Sequence, residues 1–229
     1  MQRLMHFIMA AALLALASGE ASAQSHVDRS GSLPVRSASL SVDGAPRQPS
    51  RQDGLRALVA GPVVLPPIGW VEFCAHPDHD SDCKVEERPA AAARADGRTR
   101  RLLARVNRNV NAAVAPMSDM ENYGVEEVWA YPENGRGDCE DYVLLKRKLL
   151  IEAGVPRQAL LVTVVREPNG DGHAVLTVVT DRGDLILDNK RDDIRVWSAA
   201  GYDFVKRQSA ENPNVWVDLR AAAALVARR

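Results

Sequence analysis

Three residues of this chain have the types that thiol catalysis requires, and they occur in a usable order. Cys139 stands in GRGDCEDYVLLKRKLLIEAG, His173 in GDGHAVL and Asp188 in LILDN. A nucleophilic thiol needs a base beside it and a third group that orients the base. A cysteine in the first turn of a helix meets the positive end of the helix dipole, which favours the thiolate. His173 follows a glycine-rich turn at the mouth of an apolar run, and Asp188 ends the next run. In that arrangement Cys139 attacks a carbonyl, His173 moves the proton and Asp188 fixes the imidazole tautomer. Against it stands the local charge: Asp138, Glu140 and Asp141 surround the thiol, and negative charge opposes thiolate formation.

The elements that must position these residues can be read from periodicity. The segment DGRTRRLLARVNRNVNAAVAP places Leu102, Leu103, Val106, Val110, Ala113 and Val114 at helical spacing, and Pro116 stops it. A second helix carries Cys139, Tyr142, Val143, Leu149, Leu150 and Ala153 on one stripe, and Gly154 and Pro156 close it. Asp138 is a good N-cap for that helix, and Asp141 can reach back as in a capping box. Strands are expected over 159–167, 173–181, 184–189, 194–197, 202–208 and 215–219. Helices first and strands after is an α+β arrangement.

Register tests whether His173 and Asp188 can meet. A two-residue Arg182-Gly183 turn sets His173 opposite Asp192 and leaves Asp188 about 13 Å away, at ~3.3 Å per residue. A hairpin centred one or two residues earlier brings the pair opposite or diagonal, so the chemistry predicts a turn nearer Asp181, or a bulge.

The remaining chain sets the compartment. MQRLMHFIMAAALLALASGEASAQ has a basic start, a short apolar run and an Ala21-Ser22-Ala23 cleavage site, the grammar of a secretory signal peptide over 1–23. Export favours pairing of cysteines. Cys74 and Cys83 lie in the turn-rich FCAHPDHDSDC, and a bridge between them is expected to stabilise by roughly 2–3 kcal/mol. Cys139 is then the unpaired thiol. His6 and His26 fall in the signal and leader, and His76 and His79 in the bridged loop, which leaves His173 as the base.

Residues 24–60, rich in Ser, Arg, Pro, Gly and Gln, read as a flexible leader. A catalytic domain is expected over 61–219, with a short tail over 220–229. A formal charge of −1 argues against nucleic acid or a membrane surface as the main partner. HPDHDSD lacks the histidine spacing of a zinc site and reads as a solvated loop. Trp129 and Tyr131 are candidates for the cleft wall, and Asn107, Asn109 and Asn111 alternate on their helix so as not to share a face, though one could donate to an oxyanion. The Cys139 backbone N–H is the assignable oxyanion donor.

GDCEDYVLLKRKLLIEAGVP, followed by GHAVLTV and LILDN, resembles the bacterial transglutaminase-like cysteine proteinase family, and VNRNVNAAVAPMSD and YGVEEVWAYPENGRGDCEDY extend the likeness over roughly residues 61–208. The resemblance implies a papain-like, transglutaminase-like core, with a Cys-bearing helix packed on an antiparallel sheet that carries His and Asp. It implies a periplasmic cysteine endopeptidase with Cys139 as nucleophile, His173 as base and Asp188 as orienter. It further implies calcium held by Asp138, Glu140 and Asp141, a large surface adhesin as substrate and an inner-membrane receptor that restrains the enzyme. The Cys74–Cys83 loop and the long leader depart from the family's pattern, and both lie outside its catalytic motifs. Two other readings use the same residues: acyl transfer to an amine by the same triad, and a binding domain that keeps the fold without turnover.

Overall fold

A computed structural model describes residues 57–87 and 89–220. The signal-peptide segment, the leader up to residue 56 and the tail after Arg220 lie outside the described residues. The helices are α1 (Ile68–Ala75), α2 (Asp80–Cys83), α3 (Gly97–Ala113), α4 (Asp119–Asn122) and α5 (Cys139–Glu152). The strands are β1 (Val63–Val64), β2 (Ala115–Pro116), β3 (Arg136–Gly137), β4 (Leu160–Arg166), β5 (Gly172–Val178), β6 (Leu185–Asp188), β7 (Arg191–Val196), β8 (Asp203–Gln208) and β9 (Trp216–Asp218). Seven strands form one antiparallel sheet in the order β1-β9-β8-β4-β5-β6-β7, and β2 pairs with β3 in parallel. The α+β expectation therefore holds, with helices in the first half and the sheet built almost wholly from the second.

Local chemistry accounts for the helices. Asp96 caps α3 by accepting from Thr99 N at 2.8 Å, and Leu103, Val106 and Val110 give that helix its buried stripe. The stretch around MENYG contains the short α4, begun by a Ser118–Glu121 capping box. Along α5 the stripe is much wider than the apolar spacing indicates. Lys146 and Arg147 are fully buried, whereas Ala153 is exposed. The expected cap of α5 is absent: Asp138 is the N-cap residue but makes no side-chain cap bond, and Asp141 turns instead to accept from Ala130 N at 2.9 Å.

Strand alternation divides the core. Ala174, Leu176, Leu187 and Trp216 belong to a cluster shared with Trp70, Leu103, Leu144 and Leu150 of the helices. Val165, Val175, Ile186, Trp197, Phe204 and Leu219 form a second cluster. Leu58 joins the second cluster, and its N–H donates to Asp184 Oδ2 at 2.8 Å. The end of the expected leader is thus anchored to the sheet.

Cys74 and Cys83 are bonded, with 5.7 Å between their Cα atoms. The closed loop is fixed to α5 from below. Arg147 Nη1 donates to Asp82 Oδ1 at 3.1 Å, Arg157 Nη1 donates to the Asp82 carbonyl at 3.0 Å, and Tyr131 donates to Asp82 Oδ2 at 2.7 Å. Among the described residues no helix is long and apolar enough to cross a membrane.

Candidate active site

Cys139 is the first residue of α5 and the one free cysteine among the described residues. Its approach is set by Gly137 in β3. A Cβ there would lie 2.8 Å from the Asp141 Cβ, so the chain enters the helix closely against that carboxylate. His173 is the second residue of β5, and Asp188 the last of β6.

The β5–β6 register pairs Leu176 with Leu187, Thr177 with Ile186 and Val178 with Leu185. Continued along the strands, it sets Asp188 opposite Val175, on the same face as His173 and diagonal to it. The hairpin centre falls between Asp181 and Arg182, earlier than an Arg182-Gly183 turn. His173 Nε2–H donates to Asp188 Oδ1 at 3.0 Å. Both side chains are buried. The other Asp188 oxygen accepts from Tyr202 at 2.5 Å, and Lys190 N donates to Oδ1 at 3.0 Å. Burial pushes the Asp188 carboxyl up, but the bonds from His173, Tyr202 and Lys190 outweigh it and hold the group at about 2.

A cleft of about 430 Å³ is lined by Cys139 and His173 together with Trp129, Glu127, Ala174 and Lys206. Trp129 packs edge-on against Trp70 and Trp216 and lies against Gly69, where no Cβ has room. Its indole N–H donates to Glu127 Oε1 at 2.7 Å. Trp129 therefore serves both packing and the cleft wall. Tyr131 does not reach this cleft; it lines a separate one beside His76 and His79.

The thiol of Cys139 faces the acidic residues. It donates to Glu140 Oε2 at 3.0 Å. Burial raises the thiol well above its usual range, and the Glu140 charge adds to the rise; the Ala174 N–H, which reaches the sulfur, pulls the other way. Asp119, Asp138 and Glu140 each bring one oxygen within 4.8 Å of the others. Buried Oδ1 atoms of Asp119 and Asp138 have no hydrogen-bond partner. Burial is the leading cause that raises all three carboxyls, Asp119 to about 6.

Of the expected group of Asp138, Glu140 and Asp141, Asp141 accepts from Ala130 N through Oδ1, is held up at about 7 mainly by burial, and keeps a buried Oδ2 without a partner. Asp138 and Glu140 lie together with Asp119 of α4. Such an oxygen-only set, with two unpartnered oxygens and no cation side chain among its members, fits a hard cation.

Sequence reasoning missed Asp119 and Tyr202. Ser118-Asp119-Met120-Glu121 carries a capping-box signal that could have placed Asp119 in a helix's first turn, but nothing local says where that helix packs. The asparagine reading also changes. Asn107 and Asn111 stand one turn apart and share a face, from which Asn107 Nδ2 donates to Arg191 O at 2.8 Å and Asn111 Nδ2 to Asp188 O at 3.1 Å. They hold the β6–β7 turn, and neither lines the cleft with Cys139. Among the described residues the HPDHDSD loop supplies no three-residue metal group; His79 stacks on Phe73 and its Nδ1–H donates to Phe73 O at 2.8 Å.

Several solved structures resemble the chain. Calcium-bound LapG of Legionella pneumophila has a TM-score of 0.46 and 22% identity, over 71% of this chain and 92% of that one. A second structure of Legionella pneumophila LapG has 0.44 and 24%, over 71% and 90%. An EGTA-treated form has 0.44 and 23%, with the same coverage. No curated protein gives a significant match. The model of the bacterial transglutaminase-like cysteine proteinases matches residues 60–224, most of the chain and all three of Cys139, His173 and Asp188, and the chain belongs to that family.

Proposed function

We propose that the protein is an exported, periplasmic cysteine endopeptidase with Cys139 as nucleophile, His173 as base and Asp188 as orienting group, in a domain spanning 61–219. The observation that supports it best is the 3.0 Å bond from His173 Nε2 to Asp188 Oδ1 beside a cleft that His173 and Cys139 both line. With Nε2 protonated and held, the lone pair is on Nδ1. In the reactive conformer the sulfur turns from Glu140 toward that nitrogen, which takes the thiol proton. The thiolate attacks the scissile carbonyl, and the Cys139 N–H, free of an intrahelical partner at the helix start, faces the oxyanion. The imidazolium gives its proton to the leaving amine, leaving a thioester. Water, deprotonated by His173, then releases the acid.

Asp119, Asp138 and Glu140 would hold calcium. When bound it supplies positive charge that offsets the carboxylates beside the thiol. The substrate we propose is a surface protein such as an adhesin, with an inner-membrane receptor as the restraining partner. Support for both is the motif resemblance around Cys139, His173 and Asp188.

The test is the rate at which iodoacetamide labels Cys139 in the folded, oxidised protein, in calcium and then in chelator. Faster labelling in calcium, lost in Asp119→Asn and in His173→Ala, is expected. Labelling no faster than an ordinary thiol in either condition overturns the reading, and labelling indifferent to chelator removes calcium alone. Product mass separates hydrolysis from transfer to an amine.

A further inference from the structure

The register of β8 carries information that the catalytic reading does not use. From Thr163↔Arg207 and Val164↔Lys206 the β4–β8 ladder would continue to Val165↔Val205. Instead Val165 pairs with Phe204 and Arg166 with Asp203. A β-bulge therefore leaves Val205 without a partner on β4 and shifts the strand by one residue. A one-residue shift exchanges faces. Val165 also pairs with His173, so the bulge puts Phe204 on the face of His173, and Tyr202, two residues along, with it. In the unshifted register Tyr202 would lie on the other face.

The bulge delivers a particular contact. The Tyr202 ring centroid lies 5.5 Å from that of His173, and its hydroxyl donates to Asp188 Oδ2 at 2.5 Å. Arg191 Nε lies 4.0 Å from the same Asp188 oxygen. An ionised carboxylate can only accept, so the hydroxyl proton points to Asp188. Burial and the Asp188 carboxylate both hold the phenol in its protonated, donating form, raised to about 12. With Oδ2 fixed by Tyr202 and Oδ1 shared by His173 and Lys190 N, the carboxylate cannot rotate without breaking one of these bonds.

We infer that Tyr202 is a positioning residue of the site, whose hydroxyl clamps the Asp188 carboxylate in the orientation that fixes the His173 tautomer. The inference rests on the reading of Cys139, His173 and Asp188 as the reacting set. Tyr202→Phe removes one oxygen and keeps the ring, which packs against the second cluster.

The experiment is ¹⁵N NMR of the histidine ring nitrogens in the labelled full chain with calcium, at a pH where His173 is neutral, for wild type and Tyr202→Phe. Wild type is expected to show His173 as a single Nε2–H tautomer. The variant is expected to show a second, Nδ1–H population and an iodoacetamide rate on Cys139 about tenfold lower, as for the loss of one hydrogen bond to a charged group, with its melting temperature little changed. A variant with the wild-type tautomer and rate overturns the inference. A wild type whose thiol is no more reactive than an ordinary one, but whose tautomer still changes on Tyr202→Phe, sinks the peptidase reading and leaves the clamp standing.

Discussion

Replacing Asp82 by Ala is expected to destabilise the protein by about 3–5 kcal/mol, although Asp82 lies in a surface-closing loop far along the chain from any strand it supports. The reason is Arg147. Its guanidinium is fully buried in α5, and its charge is met by Asp82 Oδ1 at 3.1 Å. Its other bonds are to carbonyls, Leu160 O at 3.2 Å and Asp82 O at 3.3 Å. Burial pulls Arg147 down to about 10 even with Asp82 opposing it, but a guanidinium does not give up its proton near neutral pH, so the charge remains when the carboxylate is removed. Two unit charges about 4 Å apart at an effective dielectric of about 20 attract by roughly 4 kcal/mol, which agrees with the mutational range.

For a chain of this size the loss corresponds to a melting temperature lower by about 6–20 °C, read by circular dichroism at neutral pH. A thiol count of one per chain would show that the disulfide still forms. The double variant Asp82→Ala/Arg147→Met should recover most of the loss, because a buried ion pair exchanged for apolar side chains is close to neutral. An Asp82→Ala melting point within about 2 °C of wild type, or a double variant no better than the single one, would refute the assignment of the loss to an orphaned charge.

Opening the loop by Cys74→Ser with Cys83→Ser should cost roughly 2–3 kcal/mol on the chain-entropy model, seen as a lower urea midpoint, while Cys139 labelling is retained. Asp188 is held at about 2, below its unfolded value of 3.8, so its contribution is present above pH 4 and is lost as pH falls toward 2. Asp188→Asn should therefore lose about 2 kcal/mol less than wild type on acidification through that window, measured by urea unfolding at each pH. Lys146 is pulled down to about 7, chiefly by burial, from 10.5, so the unfolded chain binds the extra proton and wild-type stability should rise with pH between about 7 and 10. Lys146→Met should flatten that rise; an unchanged slope would mean that the buried ammonium is solvated.

Where the order of residues along an element decides its structure, the sequence was informative. The helices α3 and α5 and the β-branched runs of β4 and β5 are local, and each appears close to its expected span. The β5–β6 turn was legible for a different reason: requiring His173 and Asp188 to meet excluded one register, and the structure takes an earlier one. The buried charges were not legible. Lys146 and Arg147 sit at helical positions that read as solvent-facing because the pattern of one helix says nothing of how many neighbours enclose it. Asp82, Tyr131 and Arg157 converge around Arg147 from three separate segments. The bulge at Val205 was invisible for a similar reason, since YDFVKRQ alternates equally well in either register.

The charge around the thiol is the point at which sequence and structure had to be read together. Three acidic neighbours at Asp138, Glu140 and Asp141 suggested either helix capping or a cation. A capping carboxylate would be bonded to the first-turn N–H groups; Asp138 makes no such side-chain bond, and one of its buried oxygens is unpartnered. Asp119 is brought to the same place by a different helix, and burial disfavours the charged form of all three members of the set. Such a cluster costs stability as it stands, and Glu140 accepts the hydrogen bond of the Cys139 thiol. On the proposed reading a hard cation reverses both effects at once, because the carboxylates gain a counter-charge and Glu140 is drawn from the sulfur. The same acidic residues that suppress the thiolate in the absence of calcium are then the reason that the thiol responds to it.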